Sequence, residues 1–220
     1  MQTDEFFEAI QRGNLPKINQ LLGTNPTLAD SKAKNGVSAI LLALYYGHED
    51  VAKAIAAKKN DPDIFEASVL GKLEQVKDLI RRDPSLANSY SPDGFTPVAL
   101  AAYLGQKEVT EYLILKGANV NAIAKNATGF TALTGATANN HTEISKILVR
   151  RGANVNHRYE GGVSPLMEAS QNGNIELVNF LLANRADPNA KTKDGKTPMS
   201  FAKEKNHPEV IEELKKHGAL

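Results

Sequence analysis

The sequence has no cysteine and no tryptophan among its 220 residues. Without cysteine the chain forms neither a disulfide framework nor a thiolate site, and this composition fits a reducing compartment such as the cytoplasm. Without tryptophan, a large aromatic residue at a binding surface must be a tyrosine or a phenylalanine. These two absences exclude a disulfide-stapled scaffold and a cysteine-dependent enzyme.

The chain also lacks an excess of charge of either sign, with 26 basic and 25 acidic residues and a net charge of +1. A general nucleic-acid binder would carry a strong basic excess, so we expect no nucleic-acid partner. The first eight residues are acidic, and no basic stretch followed by a long apolar run occurs there. We therefore expect no signal peptide, no membrane span and a cytoplasmic location.

Motifs that carry catalytic or metal chemistry are missing as well. The sequence contains no H-E-x-x-H pair, no P-loop and no G-x-S-x-G elbow. His48, His141 and His207 belong to none of these motifs. The acid–base group in residues 157–160 lies in a predicted loop and is interpreted as solvated. We expect no catalytic residues, no metal site, no cofactor and no enzyme activity.

What the sequence does contain is a repeated stretch, best seen in residues 93–122. Gly94 suits the positive φ of a tight turn, and Thr96 supplies a hydroxyl that caps a helix. Gly105 ends that short apolar helix, and a second helix is predicted over Lys107–Lys116. Two helices this short cannot bury their apolar faces alone, so each pair needs a copy on either side.

Copies of this stretch run through the chain in a fixed phase. From Gly94 the corresponding turn glycines are 35, 33 and 33 residues apart, at Gly129, Gly162 and Gly195. In the N-terminal half, the glycines that end the first helices follow steps of 34, 24 and 34 residues, at Gly13, Gly47, Gly71 and Gly105. The short step predicts that the hairpin finger between repeats two and three is missing, replaced by a turn and helix cap at Asn60–Asp63.

The stretch Thr96-Pro97-Val98-Ala99-Leu100-Ala101 resembles the T-P-L-H-x-A signature of the ankyrin repeat family, whose period is about 33 residues. The resemblance implies an all-α solenoid of helix-turn-helix pairs with short β-hairpin fingers. The signature histidine, which ties neighbouring repeats together in the family, is absent. Its positions hold Leu41, Ala99, Thr134, Met167 and Ser200. We expect apolar packing to take over part of its role. The resemblance also implies a structural role for His48, His141 and His207, which directly follow the ends of first helices.

The repeat pattern predicts a single domain of seven repeats. Their approximate bounds are 1–29, 30–60, 61–90, 91–124, 125–157, 158–190 and 191–220, with the first and last as caps. Repeat five is expected to be the weakest, because Gly135 within its first helix costs about 1 kcal/mol relative to alanine. We favour a packing role for Gly135, as a site of close approach by a neighbour, over a functional one.

The family resemblance also points to a binding surface. In ankyrin repeats the two residues before each helix-ending glycine lie on the concave face, and here these pairs are polar at both ends of the chain. The pairs of repeats two, three and four are apolar or aromatic instead: Tyr45, Tyr46, Val69, Leu70, Tyr103 and Leu104. Phe95 and Phe130, on neighbouring fingers, either extend this patch or pack finger to finger.

The predicted function is therefore non-enzymatic binding of a protein partner of unknown identity by a monomer. Tyrosine is favoured at binding hot spots, and an apolar patch with a polar rim is the layout of an interface. One alternative is that a member of each pair packs against the next repeat, most readily Val69 and Leu70. A second alternative is a structural or self-associating scaffold module.

Overall fold

The computed structural model describes residues 2–219, and that range contains fourteen α-helices in seven consecutive pairs. The helices are α1 (Gln2–Gln11), α2 (Leu15–Thr24), α3 (Ala39–Tyr45), α4 (Glu49–Ala56), α5 (Ile64–Val69), α6 (Leu73–Arg82), α7 (Pro97–Tyr103), α8 (Lys107–Leu115), α9 (Ala132–Ala138), α10 (Thr142–Arg150), α11 (Pro165–Gln171), α12 (Ile175–Ala183), α13 (Pro198–Glu204) and α14 (Pro208–Lys216). Pairs one to seven each consist of a first, odd-numbered helix and a second, even-numbered helix. The expected all-α repeat fold is confirmed.

Local capping chemistry explains where the first helices begin. In pairs two to seven the side-chain oxygen of the N-cap residue accepts a backbone N–H of the first turn, which satisfies one of the orphan donors there. These N-caps are Ser38, Asp63, Thr96, Thr131, Ser164 and Thr197. Three of the six helices then place proline directly after the cap, where its missing N–H is harmless.

Stacking of the pairs is continuous except at one junction. Each first helix packs against the next along the whole array, and so do the second helices with a single exception. Within the described residues, α4 and α6 make at most a marginal contact. The buried apolar side chains accordingly form two clusters, one centred on pairs one and two and the other on pairs three to seven. Val69 and Leu100 reach from the later pairs into the first cluster.

Side chains just after the first helices bond the neighbouring pair. The rings of His48, His141 and His207 donate Nε2–H to the carbonyls of Gln11, Tyr103 and Gln171 at 3.3, 3.1 and 3.0 Å. The Gln106 amide donates likewise to the Val69 carbonyl at 3.0 Å. The structural role predicted for the three histidines is confirmed. We expected apolar packing to take over part of the role of the signature histidine, and these bonds show that polar groups at another position take over a further part.

The junction between pairs two and three lacks such a bond. At the equivalent position pair three has Lys72, whose side chain makes no capping or inter-repeat hydrogen bond in the described range. The space beside the helix-ending glycines differs between this junction and the others. A Cβ on Gly105 would lie 2.7 Å from the His141 ring, whereas a Cβ on Gly47 would meet nothing within 4 Å. The two N-terminal pairs are thus joined to the rest by fewer contacts than any other neighbours.

A buried ion pair occupies this junction. The Lys59 ammonium lies 2.9 Å from Glu66 Oε1, and Glu66 Oε2 accepts the Asp63 backbone N–H at 3.0 Å. Glu66 is fully buried, and the Lys59 side chain is 8% exposed. Burial by itself lowers the pKa of Lys59, but the hydrogen bond and charge of Glu66 outweigh it and the pKa lies above its ordinary value. As predicted, no hairpin finger precedes pair three: backbone bonds in residues 57–63 only end α4 and begin α5.

The fingers differ from the β-hairpins we expected. Residues 2–219 contain no strand and a single isolated bridge, between Lys32 and Ser38. Each finger is too short for a ladder and closes through one or two turn bonds, such as Ser91 N–H to the Phe95 carbonyl at 2.8 Å. Neighbouring fingers bond each other instead, for example through Lys125 N–H and the Gly94 carbonyl at 2.8 Å.

An asparagine ladder runs along the loops that follow the second helices, beginning at pair three. The Asn88 amide donates to the Gly117 carbonyl at 3.0 Å and accepts the Asn119 N–H at 2.8 Å. Asn121 and Asn156 repeat both bonds toward the next pair. Asn189 continues the series by donating to the Gly218 carbonyl. Each rung joins two successive pairs, so pairs three to seven are held in one register.

Candidate functional site

Four of the eight predicted binding residues line one cavity, which we call the aromatic pocket. Tyr45 at the end of α3 and Tyr103 at the end of α7 contribute their rings, and Phe95 and Phe130 come from the fingers before α7 and α9. The other lining residues are Ala99, Leu100, Thr131 and Gly135. The cavity has a volume of about 250 Å³, opens to solvent and has mostly apolar walls. It draws on repeats that lie up to ninety residues apart in sequence.

The glycine in α9 gives the pocket part of its room. A Cβ on Gly135 would lie 3.4 Å from Tyr103 Cβ, in ordinary van der Waals contact, and the missing methyl leaves this space to the cavity. This contact supports the packing role favoured for Gly135, with the Tyr103 side chain as the neighbour, but the approach is no closer than an ordinary contact. The same glycine also shapes the candidate site, which its position in the sequence did not indicate.

A carboxylate lies at the Tyr45 edge of the pocket. Asp93 Oδ2 accepts the Tyr45 hydroxyl at 2.7 Å, and Oδ1 accepts the Ser91 hydroxyl at 2.5 Å. Burial, followed by the hydrogen bond and charge of Asp93, raises the pKa of Tyr45 above its ordinary value. Asp93 is half-buried, and no lysine, arginine or histidine of residues 2–219 forms an ion pair with it. The pocket edge therefore carries a negative charge without a protein counter-ion.

One of the lining residues, Phe130, belongs to a stacked pair of rings. Phe130 and Tyr159 lie with their ring centroids 4.4 Å apart and an interplanar angle of 22°. The Tyr159 hydroxyl donates to the Glu168 carboxylate on α11, and burial raises the pKa of that carboxyl. Phe130 thus both lines the pocket and packs against the next finger, so the two roles left open from the sequence coexist.

The remaining predicted residues lie elsewhere. Leu70 and Leu104 line a second groove of about 400 Å³ beside the gap between α4 and pair three, together with Lys53 and Lys72. Val69 is 1% exposed, so its side chain belongs to the core, and the structure places only its carbonyl in a polar contact. The packing alternative therefore describes Val69.

Tyr46 lies apart from both cavities. Its side chain is 45% exposed and lines a shallow surface between α1 and the finger of pair two, near Phe7 and Lys34. Successive residues of a helix point about 100° apart, so Tyr45 and Tyr46 face different surroundings. The predicted single patch is consequently divided among three places, of which the aromatic pocket contains the most aromatic side chains and has the most apolar walls.

The acid–base group of residues 157–160 is used for contacts between fingers. His157 Nε2–H donates to the Gly129 carbonyl at 2.8 Å, and Arg158 donates to the Lys191 carbonyl. Within residues 2–219, no group of three or more histidine or acidic side chains is arranged to hold a metal ion. Over the same range, each helix is too short or too polar to cross a lipid bilayer. The arrangement supports non-covalent binding.

Three residues of the pocket region were missed in the sequence: Asp93, Gly135 as a lining residue, and Tyr159. Asp93 stands directly before a turn glycine, where aspartate is common for local reasons and gives no sign of its bond to Tyr45. Tyr159 lies 29 residues beyond Phe130, and only the stacking of fingers brings the two rings together. A comparison of the residues at equivalent finger positions is the signal that could have found it.

Paired short helices in register, with an open face formed by helix ends and fingers, define this molecule as a helical-repeat solenoid. Comparison with known families specifies the class further. A model described as ankyrin repeats in three copies matches residues 64–159, and a second, described as ankyrin repeats in many copies, matches residues 148–202. The chain belongs to the ankyrin repeat family, which generally mediates protein–protein interaction, and no enzymatic family matches it.

Similar proteins include longer chains that contain such repeats. Ankyrin repeat and SAM domain-containing protein 6 of Danio rerio is 31% identical over 121 residues, which cover 50% of this chain and 16% of that protein. The rat protein of the same name is 39% identical over 64 residues, 29% of this chain and 7% of its own length. Alpha-latrocrustotoxin-Lt1a of Latrodectus tredecimguttatus is 33% identical over 108 residues, covering 49% of this chain and 7% of the toxin. The matches span a small part of each relative.

Proposed function

We propose that this chain is a non-catalytic protein-binding module whose partner docks on the face formed by the first-helix ends and the fingers. The observation that carries the proposal is the aromatic pocket, an open apolar cavity of about 250 Å³ built from three repeats. Large apolar cavities lined by tyrosine and phenylalanine are typical of binding hot spots, where one side chain of a partner becomes fully desolvated. In the ankyrin architecture this face is the concave one.

The wider description of the molecule follows from this proposal. We infer one domain of seven repeats, with the approximate bounds given by the sequence, and a monomer that takes no nucleic-acid, membrane or cofactor partner. The balanced charge of +1 supports the exclusion of nucleic acid. The cytoplasm is the proposed compartment, since a chain without cysteine needs no oxidising environment to fold.

The test pairs a binding measurement with a stability measurement. A partner is first recovered with the wild-type protein and identified, and its affinity is then measured for Tyr103→Ala and for the control Gln171→Ala. Tyr103 lines the pocket, whereas the Gln171 side chain lies on the same face two pairs further along. We expect Tyr103→Ala to weaken binding by about 2 kcal/mol or more, as for a hot-spot residue, and Gln171→Ala to change it little.

Thermal melting of the same variants separates binding from folding. If Tyr103→Ala binds normally and melts far lower, the ring is a core residue and the proposed docking face is wrong. Gel filtration addresses the self-associating alternative. A dimer that Tyr46→Glu converts to a monomer would favour a scaffold that meets its own copy, because Tyr46 is the most exposed of the predicted residues.

A further inference from the structure

We propose that the aromatic pocket receives a methylated lysine side chain from a segment of the partner protein. This inference rests on the proposed function and specifies the chemistry of its anchoring residue. Three observations lead to it: four aromatic rings around one cavity, a carboxylate without a counter-ion at its edge, and walls that offer few hydrogen-bond acceptors.

The rings favour a cation with an apolar surface. Tyr45, Phe95, Tyr103 and Phe130 all line the same cavity. The face of an aromatic ring carries negative quadrupole charge, and a cation within about 6 Å of the ring centroid is attracted to it. Cages of aromatic side chains around quaternary ammonium groups use this attraction. Because four aromatic side chains line about 250 Å³, a guest that fills the cavity contacts several rings at once.

The charge at the pocket edge points the same way. Asp93 is half-buried, and its two oxygens accept hydrogen bonds from Tyr45 and Ser91, at 2.7 and 2.5 Å, without an ion-pair partner in the described range. Both of these donors are neutral, so no positive charge within the described range balances the carboxylate beside the pocket. A neutral guest would leave that charge unbalanced, whereas a cationic guest complements it.

Hydrogen-bonding capacity distinguishes a methylated ammonium from other cations. An unmodified lysine carries three N–H donors and an arginine five, and burying them without acceptors is costly. The walls of the pocket are mostly apolar, and Asp93 is beside the cavity rather than among its lining residues, so a buried N–H group would find few acceptors. A trimethylammonium group has no N–H to satisfy and presents methyl groups to the rings. The apolar walls therefore fit the methylated form best.

Size is consistent with this guest. A cavity of about 150 Å³ in another protein holds a benzene molecule of six carbon atoms. The nitrogen, three methyl groups and last methylene of trimethyllysine amount to five heavy atoms, so about 250 Å³ accommodates them and part of the stem. Because the pocket opens to solvent on the proposed docking face, the stem can lead back to a peptide backbone.

The test uses three small probes and the intact protein. The probes are Nα-acetyl-Nε-trimethyllysine amide, its neutral isostere with carbon in place of the ammonium nitrogen, and unmodified Nα-acetyllysine amide. Binding is followed by two-dimensional NMR and titrated for affinity. We expect the trimethylated probe to bind about 5- to 30-fold more tightly than the isostere, which corresponds to a cation–π contribution of about 1 to 2 kcal/mol. The unmodified probe should bind more weakly as well.

Two variants and a matched control locate the binding. Asp93→Asn keeps an acceptor for Tyr45 and removes the charge, so it should reduce the preference for the cation over the isostere. Gly135→Leu should block all probes by filling the cavity, since that position lies against Tyr103. Tyr46→Ala removes an exposed tyrosine outside the pocket and should change nothing.

Three results would overturn the inference. Equal affinity for the isostere would identify the pocket as a site for neutral apolar side chains. If no probe binds, the methylated lysine is wrong as the guest of the pocket. The proposed function would still stand in that case if Tyr103→Ala weakens binding of the partner protein. Binding of the trimethylated probe together with an identified partner that is insensitive to Tyr103→Ala would assign the pocket to a free quaternary ammonium molecule and reject the protein segment as its source.

Discussion

Replacing Lys59 by methionine should be the most damaging single change at the junction between pairs two and three. The substitution keeps most of the apolar stem and removes the ammonium that lies 2.9 Å from Glu66 Oε1. Glu66 is fully buried, so its carboxylate would retain a single hydrogen bond, from the Asp63 backbone N–H at 3.0 Å. An ionised group would then lie in the interior without a counter-ion.

The magnitude follows from this burial. Breaking a buried ion pair by removing one partner typically costs 3–5 kcal/mol, because the remaining charge has lost its solvent and its partner. We expect a loss of about 3 kcal/mol, near the lower end of that range. The Lys59 ammonium also lies 3.5 Å from the exposed Asp30 carboxylate, so solvent is close to one side of the buried pair. Adding Glu66→Gln to Lys59→Met should recover much of the loss, because the amide is neutral and still accepts from Asp63.

Urea unfolding followed by circular dichroism measures the change. The control is Lys53→Met, which breaks an exposed pair with Glu49 on α4 and should cost no more than about 0.5 kcal/mol. Because the pair joins two apolar clusters, we also expect the variant to unfold over a broader transition with a smaller apparent m-value. If Lys59→Met is no more harmful than Lys53→Met, the ion pair does not hold the junction.

The remaining predictions concern the pocket region and repeat five. Gly135→Ala should stabilise the protein by up to about 1 kcal/mol in urea unfolding, since the added methyl meets Tyr103 at ordinary contact distance. Tyr45→Phe should leave the phenolate absorbance that develops near pH 10 unchanged, because the pKa of Tyr45 is raised and that residue ionises only at higher pH. The raised pKa of Glu168 means that the folded protein binds more protons than the unfolded chain just above the ordinary value of 4.5, so wild-type stability relative to Glu168→Gln should fall as pH rises from 4 toward 7. Amides of α9 should exchange with deuterium before those of α7, because Gly135 and the two threonines within α9 are poor helix formers.

Each of these has an outcome that would contradict it. A loss of stability in Gly135→Ala would mean that Tyr103 cannot accommodate even a methyl group. A smaller phenolate signal near pH 10 in Tyr45→Phe would show that Tyr45 ionises normally. A pH-independent difference between wild type and Glu168→Gln would remove the burial argument for that carboxyl. Equal protection of α7 and α9 would show that the buried, hydrogen-bonded hydroxyls of Thr134 and Thr137 offset their low propensity.

The repeat architecture was predictable because local chemistry specifies it. The helix predicted over Lys107–Lys116 is observed as Lys107–Leu115. Caps such as Thr96 and glycines such as Gly105 act on their own turn of the chain, so a sequence reader finds them without knowing the neighbours. The missing finger was equally visible, as a step ten residues shorter than its neighbours. The predicted hairpin strands in the fingers were wrong, because turn residues specify a turn but not whether the flanking residues form a ladder.

The candidate site was only partly predictable, because it depends on side-chain direction and on contacts between distant repeats. Tyr45 and Tyr46 are adjacent in sequence, yet one lines the pocket and the other faces a different surface. Phase within the repeat does not determine which residue of such a pair points inward. The bond from Tyr45 to Asp93 spans 48 residues, from a helix end to a finger two pairs away, and no local pattern encodes it.

The asparagine ladder bears on how the length of this protein can change. Each rung uses one side chain of a repeat and two backbone groups of the next, so pairs four to six each offer the same attachment that they receive. Duplication or deletion of one whole unit would therefore restore all rungs, whereas a change of any other size would leave an amide facing the wrong residue. The 35-residue step from Asn121 to Asn156, beside steps of 33, shows that an extra two residues are accepted when they lie in a finger. Gene rearrangement can therefore add or remove whole repeats without breaking the ladder.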